Sequence, residues 1–294
     1  MKSPVFQGTC VAIITPLKDG KVNFEKLSEI LDQQIAAGVA AVAICGTTGE
    51  APTLESEEHL EAIRHTIRHC AGRMKVLAGT GSNDTEHSLY MSQSSADAGA
   101  DALLHVTPYY NKPTQRGLIA HYTYIADRVS CPLVLYNVPS RTGTNITVDT
   151  CKILSQHPNI NGIKEASGSV TQTMHIINAC GDDLTVWSGN DDQIVPLMSV
   201  GAKGVISVLS NICPKETVAI TDACLRGDFA EGARLQLRYL ELIDALFCET
   251  NPIPVKTAMN LMGMDVGPTK LPLVEMEEKN LNRLKAAMHD VGLI

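Results

Sequence analysis

The chain has 294 residues, 44% of them apolar and only 4% aromatic, and a formal net charge of -8. An acidic, aromatic-poor surface repels phosphate backbones, which argues against nucleic acid as a partner, and charged or polar residues interrupt every apolar run before it reaches membrane-spanning length. Met1-Lys2-Ser3-Pro4 leads into a short apolar segment without a signal-peptide cleavage pattern, and the nine cysteines are scattered singly with no C-x-x-C pair, so buried reduced thiols in a cytoplasmic protein are expected.

In chain order, eight short apolar runs read as strands: Thr9–Thr15, Val39–Cys45, Lys75–Thr80, Asp101–Thr107, Pro132–Val138, Ile160–Lys164, Leu184–Ser188 and Gly204–Val208. They are rich in Val, Ile and Leu and do not alternate with polar residues, the pattern of strands buried on both faces of a parallel sheet. Helical spacing lies between them. Phe24, Leu27, Ile30, Leu31 and Ile35 share one face, with Asn23 as a candidate cap. Glu55, Glu57 and Glu58 open a second helix. Asn83 and Glu86 have capping-box spacing before a third. Eight βα units predict an α/β fold, a closed (β/α)8 TIM barrel, in preference to an open doubly wound sheet. No sequence repeat or low-complexity linker is evident. After Arg226 the pattern turns helical: Phe229 to Phe247, a break at Asn251-Pro252-Ile253-Pro254, then Val255 to Met262 and Met276 to Met288. The expected organisation is a catalytic barrel over 1–226 and a small C-terminal helical domain over 227–294.

In such a barrel, chemistry sits where strands end. Run six ends in Lys164; an amine partly desolvated in the barrel mouth is a nucleophile toward a ketone, while the plainer reading pairs it with Glu165. Run two ends in Gly46-Thr47-Thr48-Gly49-Glu50, either a carboxylate-holding turn of hydroxyls and backbone N–H groups or an ordinary βα turn. Run four ends in Thr107-Pro108-Tyr109-Tyr110, a proton-relaying phenol or aromatic packing between subunits. Run five places Tyr136 at the strand end as a candidate acid/base and Arg141 beyond it as a fork for a substrate carboxylate, or else as a surface ion pair. Gly189 and Ile206, on runs seven and eight, leave room for a small ligand. Asp191 and Asp192 read as first-turn helix residues rather than metal ligands. These candidates fall at the same end of several strands, which random placement would not produce.

No G-x-x-x-x-G-K-[ST] or H-E-x-x-H occurs, and Gly79-Thr80-Gly81-Ser82-Asn83-Asp84 fails as G-x-G-x-x-G. His65, His69 and Cys70 lie on a helix expected outside the barrel, a poor place for a metal. No cofactor or metal is expected, so carbon–carbon chemistry on a 2-oxo acid requires the lysine.

The segments Gly46–Glu50, Tyr136–Gly143, Gly162–Gly168 and Asn251–Lys256, spread over nearly the full length, resemble the pyruvate-dependent aldolase/lyase family, and within it the branch that condenses pyruvate with L-aspartate-4-semialdehyde in lysine and diaminopimelate biosynthesis. The resemblance implies that Lys164 forms the Schiff base and that Tyr136, Thr47 and Tyr110 relay protons, Tyr110 reaching in from a neighbouring subunit. It further implies that Thr47 and Thr48 hold the pyruvate carboxylate, that Arg141 binds the carboxylate of the second substrate, that Gly189 and Ile206 line the pocket, and that the assembly is a homotetramer of two tight dimers. Family members inhibited by lysine bind it between subunits. At matching positions this chain keeps His59, Asn83 and Tyr109, but has Ala51, Ser56 and His87 in place of a serine, a histidine and a glutamate, so feedback is expected to be weak or lost. Two alternatives stand beside this reading: a sister enzyme such as N-acetylneuraminate lyase or a 2-keto-3-deoxy sugar acid aldolase, and a non-catalytic barrel that senses a small carboxylate.

Overall fold

The computed structural model describes residues 2–294. Eight parallel strands, β1 (Gly8–Ala12), β2 (Ala41–Ile44), β3 (Lys75–Gly79), β4 (Ala102–Val106), β5 (Leu133–Asn137), β6 (Ile160–Glu165), β7 (Thr185–Ser188) and β8 (Gly204–Ser207), pair in sequence order, and β8 closes onto β1. The surrounding helices are α1 (Phe24–Ala36), α2 (Ser56–Cys70), α3 (Thr85–Asp97), α4 (Gln115–Ala126), α5 (Val148–Ser155), α6 (Val170–Cys180), α7 (Ile194–Ser199) and α8 (Pro214–Leu225). This is the predicted (β/α)8 barrel. Four more helices follow, α9 (Phe229–Arg238), α10 (Leu240–Leu246), α11 (Ile253–Leu261) and α12 (Glu278–Asp290). No described helix is long and apolar enough to cross a membrane.

The strands lack polar alternation because both faces are buried, yet their two faces enter different clusters. Val11, Val42, Leu103, Leu135, Ile163 and Val205 pack outward under the helices. Cys10, Ala43, Leu104, Tyr136, Trp187 and Ile206 point into the barrel. Small inward residues on β1, β2 and β4 face large ones elsewhere, as a closed barrel of this size requires. Trp187 fills part of the interior, stacked on Phe6 with ring centroids 4.7 Å apart. A Cβ at Gly162 would lie 2.4 Å from the Trp187 ring, so only glycine fits beside it.

One irregularity sets the face on which the chemistry falls. The register of β5 on β6 shifts between Leu133 and Val134, so Leu133 pairs with Ile160 but Val134 with Gly162. Asn161 is the extra residue, and its Nδ2 is tied to Ser3 O at 2.9 Å. Since one residue of slip exchanges the faces of a strand, the bulge puts Gly162 and Lys164 on the inner side, where Lys164 pairs with Tyr136.

Several local expectations need correction. Asn23 caps α1 as predicted, accepting from Lys26 N. Asn83 does not cap α3: Asp84 does, accepting from Glu86 N and His87 N, because the chain enters the helix one residue later. The first strand is Gly8–Ala12, and beyond it Leu17–Lys18 and Lys21–Val22 form a small hairpin. The stretch from Phe229 to Phe247 divides at Tyr239, whose N–H bonds to Gln236 O in a tightened last turn. Gln236 is buried, accepting from Val195 N and donating to Asp192 O, and it fixes α9 to the barrel at the point where the direction changes. Asp191 lies in a single 3₁₀ turn; its buried carboxylate accepts from Val208 N and Leu209 N across the gap between β7 and β8.

Candidate active site

Lys164 leaves the inner face of β6 and is 6% exposed. Its Nζ stands 4.3 Å from the ring centroid of Tyr136, directly across from it on β5. The Glu165 partner does not form. The next residue of a strand faces the other side, and Glu165 accepts instead from Asn137 Nδ2, Ser167 N and Gln172 Nε2. Among the described residues the lysine amine thus forms no ion pair with a carboxylate, the buried Asp191 interacting with it only through charge at longer range, and it faces a phenol within a nearly closed mouth.

Gly189 explains part of that closure. A Cβ there would come within 2.6 Å of Ala166 Cβ and 3.1 Å of Lys164 Cε, so glycine is what lets the lysine stem pass. Ile206 is wholly buried in the inner cluster with Tyr136 and Trp187. Cys10 shares this interior, and burial drives its thiol far above the usual range, which keeps it protonated and inert.

The turn after β2 carries the two threonines. Glu50 closes it in the left-handed region with φ 54, and Glu50 N bonds to Thr47 O. Thr47 is half-buried and Thr48 buried, with Thr48 Oγ1 accepting from Asn251 Nδ2 at 2.9 Å. Arg141 sits on the one-turn helix Pro139–Thr142, held to the end of β4 by a Thr107–Thr142 hydroxyl contact of 2.9 Å. Its guanidinium is exposed and reaches Asn251 O at 3.4 Å.

A cavity of about 400 Å³ opens beside these groups, and its wall includes Thr47, Tyr136 and Arg141 together with His59 and Tyr109. Lys164, Thr48, Gly189 and Ile206 are not on that wall, and neither are Asn83 or Tyr110. Tyr110 is the outlier: it is 92% exposed, with φ 66. The left-handed region is costly for an aromatic residue, and a loop that holds one there in the open presents it outward. His59 Nε2 lies 2.8 Å from Gly79 O, and burial pushes its imidazole down to about 4.

The outer histidines are engaged by other side chains. His65 bonds to Ser28 and His69 to Asp32. Among the described residues no group of three His, Cys, Asp or Glu side chains is placed to hold an ion. No disulfide joins the nine cysteines; seven are buried, Cys131 and Cys248 half-buried.

Strand-end reading missed Asn251, which touches Thr48 and lies near Arg141, and the buried Glu50–Lys256 ion pair beneath the turn. The only sequence signal for either was the motif Asn251–Lys256, recognised by resemblance rather than by chemistry.

The profile of the dihydrodipicolinate synthetase family matches residues 5–291. The chain is 52% identical over 292 residues to a 4-hydroxy-tetrahydrodipicolinate synthase from Thermoanaerobacter sp. (strain X514), covering 99% of this chain and 98% of that protein. It is 53% identical over 291 residues to a protein of the same name from Caldicellulosiruptor saccharolyticus (strain ATCC 43494 / DSM 8903 / Tp8T 6331), with the same coverage. Its fold superposes on the crystal structure of dihydrodipicolinate synthase from Aquifex aeolicus with a TM-score of 0.96 at 42% identity, over 98% of this chain and 99% of that one. With a lysine on the sixth strand of the barrel, a phenol facing it and a threonine pair opposite, the chain belongs to the dihydrodipicolinate synthetase family.

Proposed function

We infer that the chain condenses pyruvate with L-aspartate-4-semialdehyde to give 4-hydroxy-tetrahydrodipicolinate, through a Schiff base on Lys164. The observation that carries this reading is the Lys164 amine, in no ion pair with a carboxylate among the described residues and 4.3 Å from the Tyr136 ring in a nearly closed barrel mouth. Lys164 Nζ attacks C2 of pyruvate, and loss of water leaves the imine. A proton leaves C3 to form the enamine, whose C3 attacks the aldehyde carbon. The new alkoxide takes a proton, and the amine of the second substrate then displaces Lys164 from C2 as the ring closes. Tyr136, Thr47 and a neighbour's Tyr110 carry the protons, Thr47 and Thr48 hold the pyruvate carboxylate, and Arg141 holds that of the semialdehyde.

In this reading 1–226 is the catalytic unit, and 227–294 an appendage that reaches back to Thr48. The outward Tyr110 favours a tight dimer, two of which make the homotetramer. Nine cysteines without a disulfide fit a reducing cytoplasm.

Borohydride reduction in the presence of pyruvate tests the reading: a mass increase mapped to Lys164 is expected, and its loss in Lys164→Ala. No adduct in the unaltered protein would favour a carboxylate-sensing barrel instead. Coupled assays with aspartate semialdehyde and with the aldehydes of the sister aldolases decide the second substrate. Arg141→Ala should keep the pyruvate adduct and impair only the semialdehyde step.

A further inference from the structure

We propose that Asn251, carried by the C-terminal appendage, is a positioning residue that keeps the Thr48 hydroxyl a hydrogen-bond donor toward the carboxylate of the bound 2-oxo acid. The proposal rests on the functional reading above, which sets Thr48 against that carboxylate. A threonine hydroxyl has one hydrogen and two lone pairs. Asn251 Nδ2 donates to Thr48 Oγ1 at 2.9 Å, and both residues are buried. With a lone pair engaged by an N–H, the hydroxyl's own hydrogen is left for another acceptor, and an anionic oxygen in the barrel mouth is the strongest available.

Asn251 is itself firmly held. Ile253 N bonds to Thr250 O at 2.9 Å behind it. A turn further on, the Lys256 ammonium grips Thr15 O, Glu50 and Pro268 O. Meanwhile Asn251 O accepts from Arg141 Nη2 at 3.4 Å. One residue of the appendage thus joins the two groups assigned to the two substrate carboxylates. Asn251 Oδ1 is buried without a partner.

The experiment measures reductive trapping at Lys164 with pyruvate and with its uncharged amide, pyruvamide, in the full-length protein. The unaltered chain is expected to trap pyruvate in strong preference to pyruvamide. Asn251→Asp supplies only acceptors, so the Thr48 hydrogen turns toward the new carboxylate. Half-saturating pyruvate should rise roughly 10- to 100-fold, the preference over pyruvamide should shrink by a similar factor, and turnover at saturating pyruvate should change far less. A role limited to holding the fold would weaken trapping of pyruvate and pyruvamide alike and leave that preference unchanged. Because the new charge can by itself repel the anion, Asn251→Ala is measured as well, with Thr48 intact and with Thr48→Val; its effect on pyruvate should vanish in the second background. Half-saturation within about twofold of the unaltered chain for Asn251→Asp, or an equal effect of Asn251→Ala in both backgrounds, overturns the proposal. Absence of any pyruvate adduct in the unaltered chain is a different result, which removes the functional reading beneath it.

Discussion

Glu50 and Lys256 are 206 positions apart in the chain and 2.9 Å apart in space, with side chains 1% and 2% exposed. Every donor of the ammonium is used, on Glu50, Thr15 O and Pro268 O, and the second oxygen of Glu50 takes Lys270 N. Removing one partner strands a buried charge, which costs about 3–5 kcal/mol. Lys256→Met should therefore destabilise the protein by about that much, while adding Glu50→Gln should recover part of the loss. Urea unfolding at one fixed protein concentration measures both. A loss below about 1 kcal/mol for Lys256→Met would mean that the pair does not anchor the Thr47–Thr48 turn.

Such a pair shows where sequence reading stops. The eight strands were legible because burial on both faces leaves continuous runs of Val, Ile and Leu, and the strand ends then pointed to Lys164, Tyr136, Thr47 and Thr48. The inner and outer faces were not legible, since both are apolar and a single bulge at Asn161 decides which one Lys164 joins. Asn251 and Lys256 lie far along the chain from the turn they support, and no local period encodes a contact at that separation. The Asn83 expectation failed for a smaller reason: Asn83 and Asp84 are adjacent and both able to cap, and only backbone geometry selects Asp84.

Gly189→Ala tests how tightly the lysine is confined. The added methyl would meet Ala166 Cβ at 2.6 Å and Lys164 Cε at 3.1 Å, so backbone or lysine must move. Overpacking of this kind costs roughly 1–3 kcal/mol, and in a site that needs its amine in one place a small displacement is severe. The rate of pyruvate trapping should fall at least about tenfold, with the melting temperature lowered by only a few degrees. Trapping at the normal rate would show that Lys164 does not need the space Gly189 leaves.

Tyr110, exposed and held at φ 66, is expected to serve the site of a neighbouring subunit. Tyr110→Phe alone and Lys164→Ala alone should each be nearly inactive. When the two chains are co-expressed, a mixed dimer contains one site with an intact Lys164 from one chain and an intact Tyr110 from the other. Activity should reappear in that mixture. If the mixed dimers stay as inactive as their parents, the phenol acts within its own chain or not at all.

Two buried histidines predict acid lability. Burial pushes His105 down to about 3, assisted by the nearby His121, and pushes His121 down to about 4, both from an ordinary 6.5. His105 is enclosed by Thr80, Ser88 and Ser92, and His121 Nε2 is buried without a partner. The folded values lie below the unfolded one, so the unfolded chain binds protons first. Stability is therefore complete above about pH 6.5 and is lost as pH falls toward the folded values. At pH 5 each group accounts for ~2 kcal/mol of that loss. Unfolding free energies measured from pH 7.5 down to 5 should decline, and His105→Gln with His121→Gln should flatten the slope. A double variant with an unchanged slope would assign the acid sensitivity to other groups.

The cavity beside the active site also bears on feedback by lysine. Its wall includes Ala51, Ser56, His59, His87 and Tyr109, and no carboxylate. A zwitterionic amino acid with a cationic side chain brings two ammonium groups, which need anionic partners when taken out of water. His59 supplies none: its Nε2 is occupied by Gly79 O, and with its imidazole pushed down to about 4 it is neutral at physiological pH. His87, where the lysine-sensitive pattern has a glutamate, offers at most a like charge. Millimolar lysine should therefore leave activity nearly unchanged. His87→Glu, alone or with Ser56→His, should introduce inhibition that weakens with added salt, since the restored partner acts through charge. Strong inhibition of the unaltered chain would show that the ammonium finds its carboxylate elsewhere, on a surface that only the assembled subunits create.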